Sequence, residues 1–165
     1  MPHAPLTHEQ ILALLSAAPD QLAQLTNGLP AARLAASPAA DAWSPLQILA
    51  HLRACCDVWG GYMQRILDED APRYRAMSPR TWVKRTDYAA QDFAASFVAF
   101  TRQRVNLVAL LRSLDEADWA RSATVTGFSR PKTLSVHSYG EMLANHEQVH
   151  LRQLERTLGV LGDMG

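Results

Sequence analysis

His146-Glu147-Gln148-Val149-His150 places two imidazoles four residues apart in a stretch whose pattern predicts helix, from about Leu134 to Leu158. Residues at that spacing lie one turn apart on one helix face, so the two rings can grip one transition-metal ion without distorting the backbone. The same letters spell H-E-x-x-H, the zinc metalloprotease signature, in which the glutamate between the ligands serves as general base. That chemistry needs a third protein ligand, which zincins take from further along the chain. Here Leu151-Arg152-Gln153-Leu154-Glu155-Arg156 follows, with no histidine six residues on, and the 15 residues after His150 are too few for a helix that folds back. Glu155, one turn further on, rotates away from the pair. The peptidase reading is set aside.

A third ligand must then come from upstream, and His51 is the best candidate. It lies just over two turns into a helix opened by Ser44-Pro45-Leu46-Gln47, whose other marked positions (Leu49, Leu52, Cys56, Trp59, Met63 and Ile66) are apolar. A lone imidazole there would read as a core histidine bonded to a carbonyl. The pair on another helix changes that, because a bundle brings helix faces together around one site. His3 and His8 sit near a terminus, and His137, nine residues before His146, faces the opposite side of its helix. Two further residues are carried as catalytic candidates. Glu147 lies about 80° from the bisector of the histidines, and is read as a base or orienting group, with helix packing as an equal alternative. Cys55, one turn after His51, is either a thiolate near the metal or a small core hydrophobe. Gln47 and Tyr139 are expected to project toward the same place, and Tyr62 to lie further along the His51–Cys55 face.

Four long helices are predicted to position these groups, an all-α chain in a four-helix bundle with crossover connections. The first starts at the capping box Thr7-His8-Glu9-Gln10, is kinked or restarted at Pro19, and ends at Asn27-Gly28, with one short extra turn at Ala31–Leu34. The second runs from Pro45 to about Ile66, weakened at Gly60-Gly61. Ala71–Arg85 reads as a long crossover loop. The third helix, roughly Asp87–Leu114, carries the seam Phe93, Phe97, Phe100, Leu107, Leu111 and Leu114. Asp115–Trp119 is a capped short turn, Ala123–Lys132 a loop or small hairpin, and the last helix runs from near Thr133 to Gly159. No segment alternates as a strand, apart from a few residues around Thr124–Val125.

The chain has the size of one domain, 165 residues, with 48% apolar and 19% charged residues, which is ordinary globular composition. Its 16 basic and 16 acidic side chains cancel, so there is no global field for nucleic acid. Ile11–Leu15 is too short an apolar run for a signal peptide or membrane span, and the adjacent Cys55 and Cys56 diverge on a helix rather than pair. A soluble, reduced, cytoplasmic protein with no membrane or nucleic-acid partner is expected. Arg73, Arg75, Arg80, Lys84 and Arg85 form a basic run interleaved with Tyr74 and Trp82. It is read either as a receptor for an anionic substrate or, preferably, as a solvated loop balanced by Asp68, Glu69 and Asp70.

Trp43-Ser44-Pro45-Leu46-Gln47-Ile48-Leu49-Ala50-His51-Leu52, taken with His146-x-x-x-His150-x-x-Gln153-Leu154, resembles the DinB/YfiT-like superfamily of four-helix metalloproteins over almost the whole chain. The resemblance implies a bundle of unusual connectivity with His51, His146 and His150 on one divalent metal, and it implies a homodimer. Relatives include thiol-dependent S-transferases, a mycothiol-dependent isomerase and metal hydrolases. A three-imidazole site with open positions can lower the pKa of a bound water or thiol. All-nitrogen ligation suits zinc, nickel, cobalt or ferrous iron, and binding is expected to weaken below about pH 6 as the rings protonate. The function expected is a metal-dependent S-transferase or hydrolase acting on a small molecule, with a low-molecular-weight thiol as partner. The alternative is a non-enzymatic helical stress or metal-binding protein.

Overall fold

The computed structural model describes residues 4–164, so His3 lies outside the described residues. Thr7 caps α1 (His8–Thr26) with the reciprocal Thr7–Gln10 box, and the short α2 (Ala31–Ala35) follows. α3 (Pro45–Cys55) begins on the Ser44–Gln47 box and passes through a π-helical turn, Cys56–Gly60, into α4 (Gly61–Asp68). After β1 (Arg73–Arg75), α5 (Pro79–Val83) and a 3₁₀ turn at Tyr88–Ala90 comes α6 (Phe93–Arg112). α7 (Glu116–Ala120), the strands β2 (Ser122–Thr126) and β3 (Lys132–Ser135), and α8 (Val136–Asp163) complete the chain.

The four long elements close into a ring. α1 packs on α8 and α6, and the α3–α4 helix packs on α8 and, through α3, on α6. One half of the core gathers Ile11, Leu15, Met63, Ile66, Leu111 and Leu143, the other Leu22, Leu49, Leu52, Phe100, Leu151 and Leu154. Each fully buried side chain of this size contributes about 1.5–3 kcal/mol. Helices come close at Gly140 of α8, where a Cβ would sit 3.3 Å from both Ile11 and Trp119. Among the described residues, no helix is long and apolar enough to cross a membrane.

Several elements differ from expectation. α1 runs through Pro19 without restarting, because burial of Ile11, Leu15, Ala18 and Leu22 on one face outweighs one missing backbone bond. The weak point at Gly60-Gly61 is the exit of the π turn, an extra residue in the helical ladder. Ala71–Arg85 is not a plain loop, since it holds β1 and α5. β1 pairs parallel with β2, placing Tyr74 opposite Val125, and β2 pairs antiparallel with β3. A three-residue strand is too short to show a period of two, so its pairing partner decides it. Gly127, in the β2–β3 turn at φ +98°, adopts the left-handed conformation that glycine tolerates. The last helix starts three residues later than predicted, on an N-cap at Ser135, and runs past Gly159.

Candidate metal centre

Three imidazoles from two helices meet between α3 and α8. His51 Nε2 lies 3.0 Å from His146 Nε2, and His150 Nε2 lies 3.0 Å from the same atom. A neutral ring nitrogen has one in-plane direction, holding either a proton or a lone pair. His146 Nε2 cannot satisfy two partners through that one direction, so hydrogen bonding alone does not account for the cluster. A single cation would, because two bonds of about 2.0–2.1 Å span the 3.0 Å between the nitrogens of each pair. The donor set therefore fits a divalent transition metal.

Electrostatics point the same way. Burial, followed by the neighbouring His150, His146 and Arg80, lowers the His51 pKa to about 3. Burial, then His150 and Arg80, lowers His146 to about 4. His150 is lowered too, chiefly by burial, with Gln153 opposing. All three rings are neutral at pH 7 and offer lone pairs. His150 Nδ1 lies 2.7 Å from Gln153 Oε1; a proton donated there leaves Nε2 free for a cation. His51 Nδ1 is buried without a partner.

Cys55 reaches the same cluster. Its Sγ is 3.5 Å from His51 Nε2, and Cys55, His51 and His146 offer ligand atoms that all lie within 4.8 Å of one another. His150 is outside that second set, and His51 and His146 are common to both. Burial pushes the Cys55 thiol well above its ordinary pKa. Without a cation on it the sulfur is a neutral thiol.

Glu147 is brought elsewhere. About 100° of rotation from His146 turns it toward α6, where Arg104 holds it in an ion pair; both residues are 1% exposed. Arg104 Nε donates to Glu147 Oε2 at 2.7 Å. Burial raises the carboxyl pKa against the pull of the guanidinium. The arginine stays charged, so the carboxyl meets a full positive charge. Tyr139 also faces away: it is buried beside Tyr62 and accepts a hydrogen bond from Tyr74 at 3.3 Å. The π turn, by inserting a residue, carries Tyr62 into that same tyrosine stack. Gln47 closes the α3 cap with its amide oxygen and still lines the cleft beside His51. His8 stacks on Trp119 at 4.2 Å and His137 packs near both, away from the cluster.

Three residues that sequence reasoning did not place at the site wall it in. The Trp43 ring is 5.1 Å from His51 and 6.0 Å from His150. Trp59, in the π turn, meets His146 edge-on at 5.1 Å. Arg80 stands over Trp43 at 5.3 Å. A cavity of about 330 Å³ reaches His51, and another of about 330 Å³ reaches His150. Trp43 and Arg80 line both. A cavity of about 370 Å³ elsewhere, lined by Leu29, Leu34, Phe93 and Phe97, has neither imidazole nor thiol. Trp43 had a signal, its position directly before the α3 cap. Arg80 had only a share in a basic run.

Compared with known proteins, the chain matches the profile of the DinB superfamily over residues 14–154. It belongs to the DinB superfamily. Its fold is also that of YfiT from Bacillus subtilis, at a TM-score of 0.74 and 21% identity over 96% of this chain and 93% of that one. YfiT is described as a probable metal-dependent hydrolase with an unusual four-helix bundle topology. At that identity the likeness shows the fold. No curated protein matches the sequence. The bundle class expected from the residues is thus the class observed for this DinB-like chain, with a small sheet added at one end.

Proposed function

We propose that His51, His146 and His150 hold one divalent transition-metal ion, and that the protein is a metal-dependent enzyme performing thiol transfer or hydrolysis on a small molecule. The observation carrying this reading is the approach of the His51 and His150 Nε2 atoms to within 3.0 Å of His146 Nε2, with His51 and His150 buried. When bound, the ion would supply Lewis acidity and lower the pKa of a water or thiol at an open position. The chain's own contributions are separable. Gln153 orients His150, Trp43 and Trp59 shield the cluster from bulk water, and the two clefts give a metabolite-sized molecule access. Zinc, nickel, cobalt and ferrous iron all suit the donor set.

Metal analysis after purification without added ions, followed by titration of the stripped protein with Co(II) or Zn(II), tests the reading. One ion per chain is expected, with at least a hundredfold weaker binding in His146→Ala. Absence of stoichiometric binding would refute it. Assay with cellular thiols and an electrophile, and separately with amide and ester substrates, then separates transfer from hydrolysis. The homodimer implied by resemblance belongs to the same proposal, and light scattering reports it.

A second reading rests on Cys55. A sulfur 3.5 Å from His51 Nε2 could complete the coordination sphere and make the site a closed, non-catalytic one. A sulfur-to-cobalt charge-transfer band in the resting Co(II) protein, lost in Cys55→Ser, together with no turnover, would favour that reading.

A further inference from the structure

The basic run reads preferably as a solvated loop, yet two of its members share a cleft with His51. Arg80, on α5, and Lys84, one turn on, both line the cleft that ends on His51. The other residues lining it are Trp43, Gln47, Ala50, Val83 and Ala89, so no acid shares it. The second cleft, toward His150, does contain an acid, Asp41. Among the described residues, no carboxylate lies within salt-bridge distance of the Arg80 guanidinium. Of the acids expected to balance the run, Glu69 pairs with Arg65 at 2.6 Å and Asp68 accepts from Gln64 at 2.9 Å.

The position of α5 is built rather than incidental. Trp82 Nε1 donates to Asp57 Oδ2 at 3.0 Å, tying α5 to the π turn of the helix that bears His51. Tyr88 donates to the same oxygen at 2.6 Å, and Gln103 Nε2 to Asp57 Oδ1 at 2.5 Å. Three donors on one carboxylate hold the basic segment at a set distance from the imidazoles. A guanidinium lining the cleft that ends on a cation site repels the cation, an arrangement that costs metal affinity unless an anion sits between them.

We infer that the His51-side cleft binds the anionic end of the substrate, a carboxylate or phosphate-type group held by Arg80 and Lys84, with the molecule's other end directed at the metal. The inference rests on the metal reading above. A guanidinium presents a planar fork that matches both anions, and Lys84 adds a point charge. A cleft of about 330 Å³ suits a metabolite rather than a polymer.

Matched thiol probes test it on the Co(II)-loaded protein. ω-Mercaptocarboxylates of two to four carbons, a mercaptoalkyl phosphonate, and the neutral amide of each carboxylate are titrated while the sulfur-to-cobalt band is followed. The anionic probes should bind about tenfold more tightly than the amides at low salt, with the preference shrinking as ionic strength rises. Arg80→Ala should abolish most of the preference of each acid over its own amide, and Arg80→Lys should keep part of it. Arg80 is exposed, and circular dichroism of each variant confirms an intact bundle. Equal binding of acid and amide, or a preference that survives Arg80→Ala through chelation at the metal, would overturn the inference while leaving the metal reading intact. A protein that takes up no Co(II) would overturn both, and a Co(II) protein that shows no thiol-induced band with any probe would overturn the inference alone.

Discussion

Acidifying the metal-free protein from pH 6.5 to pH 4.5 should remove about 5 kcal/mol of folding stability through two histidines alone. In the folded chain His51 titrates near 3 and His146 near 4, against 6.5 for an ordinary imidazole, burial being the largest cause for each. Between those values and 6.5 the unfolded chain holds protons that the folded chain does not. Stability therefore rises with pH across this window and falls on acidification. Two pH units at about 1.36 kcal/mol each give roughly 3 kcal/mol for His51 and slightly less for His146, which begins to protonate within the fold. His150, lowered in the same direction, adds to the effect. The loss is comparable to the whole stability of a domain, about 5–15 kcal/mol. Urea unfolding followed by circular dichroism at pH 6.5, 5.5 and 4.5, with chelator present, measures it. Comparison with the His51→Asn/His146→Asn double variant cancels the contribution of other titrating groups, and the variant's pH slope should be shallower by about 2.7 kcal/mol per unit. Indistinguishable slopes would show that the imidazoles are not held neutral by burial, and the electrostatic argument for a ready-made ligand set would fall with them.

Two other consequences concern the scaffold. Arg104→Ala leaves the buried Glu147 carboxylate unpaired and should destabilise the protein by about 3–5 kcal/mol. Arg104→Met/Glu147→Leu should recover most of that loss in the same urea assay. The double variant should still bind Co(II), because Glu147 faces α6 and not the imidazoles; loss of the metal despite a folded bundle would contradict this placement. Gly140→Val forces a branched side chain into a gap where even a Cβ stands 3.3 Å from Ile11 and Trp119. It should cost about 1–3 kcal/mol in thermal or urea unfolding, and an unchanged midpoint would show that α1 and α8 separate freely.

Which parts were legible beforehand follows from the range of the forces involved. The capping boxes at Thr7 and Ser44 and the apolar periodicity of α1, α3, α6 and α8 are local, so the four-helix class could be read from residues. His146 and His150 share a face by the geometry of a single helix, and H-E-x-x-H without a downstream ligand was already a poor peptidase. Neighbouring chains decided the rest. β1 exists because β2 offers it a hydrogen-bonding edge, and α1 passes through Pro19 because its buried face outweighs the local break. That Glu147 turns to Arg104, that Tyr139 joins Tyr74, and that Trp43, Trp59 and Arg80 surround the imidazoles all depend on helix packing across tens of residues. Sequence spacing determines which side chains share one helix face; only the docking of one helix on another determines what that face meets, because the contact energies arise between segments that no local pattern connects.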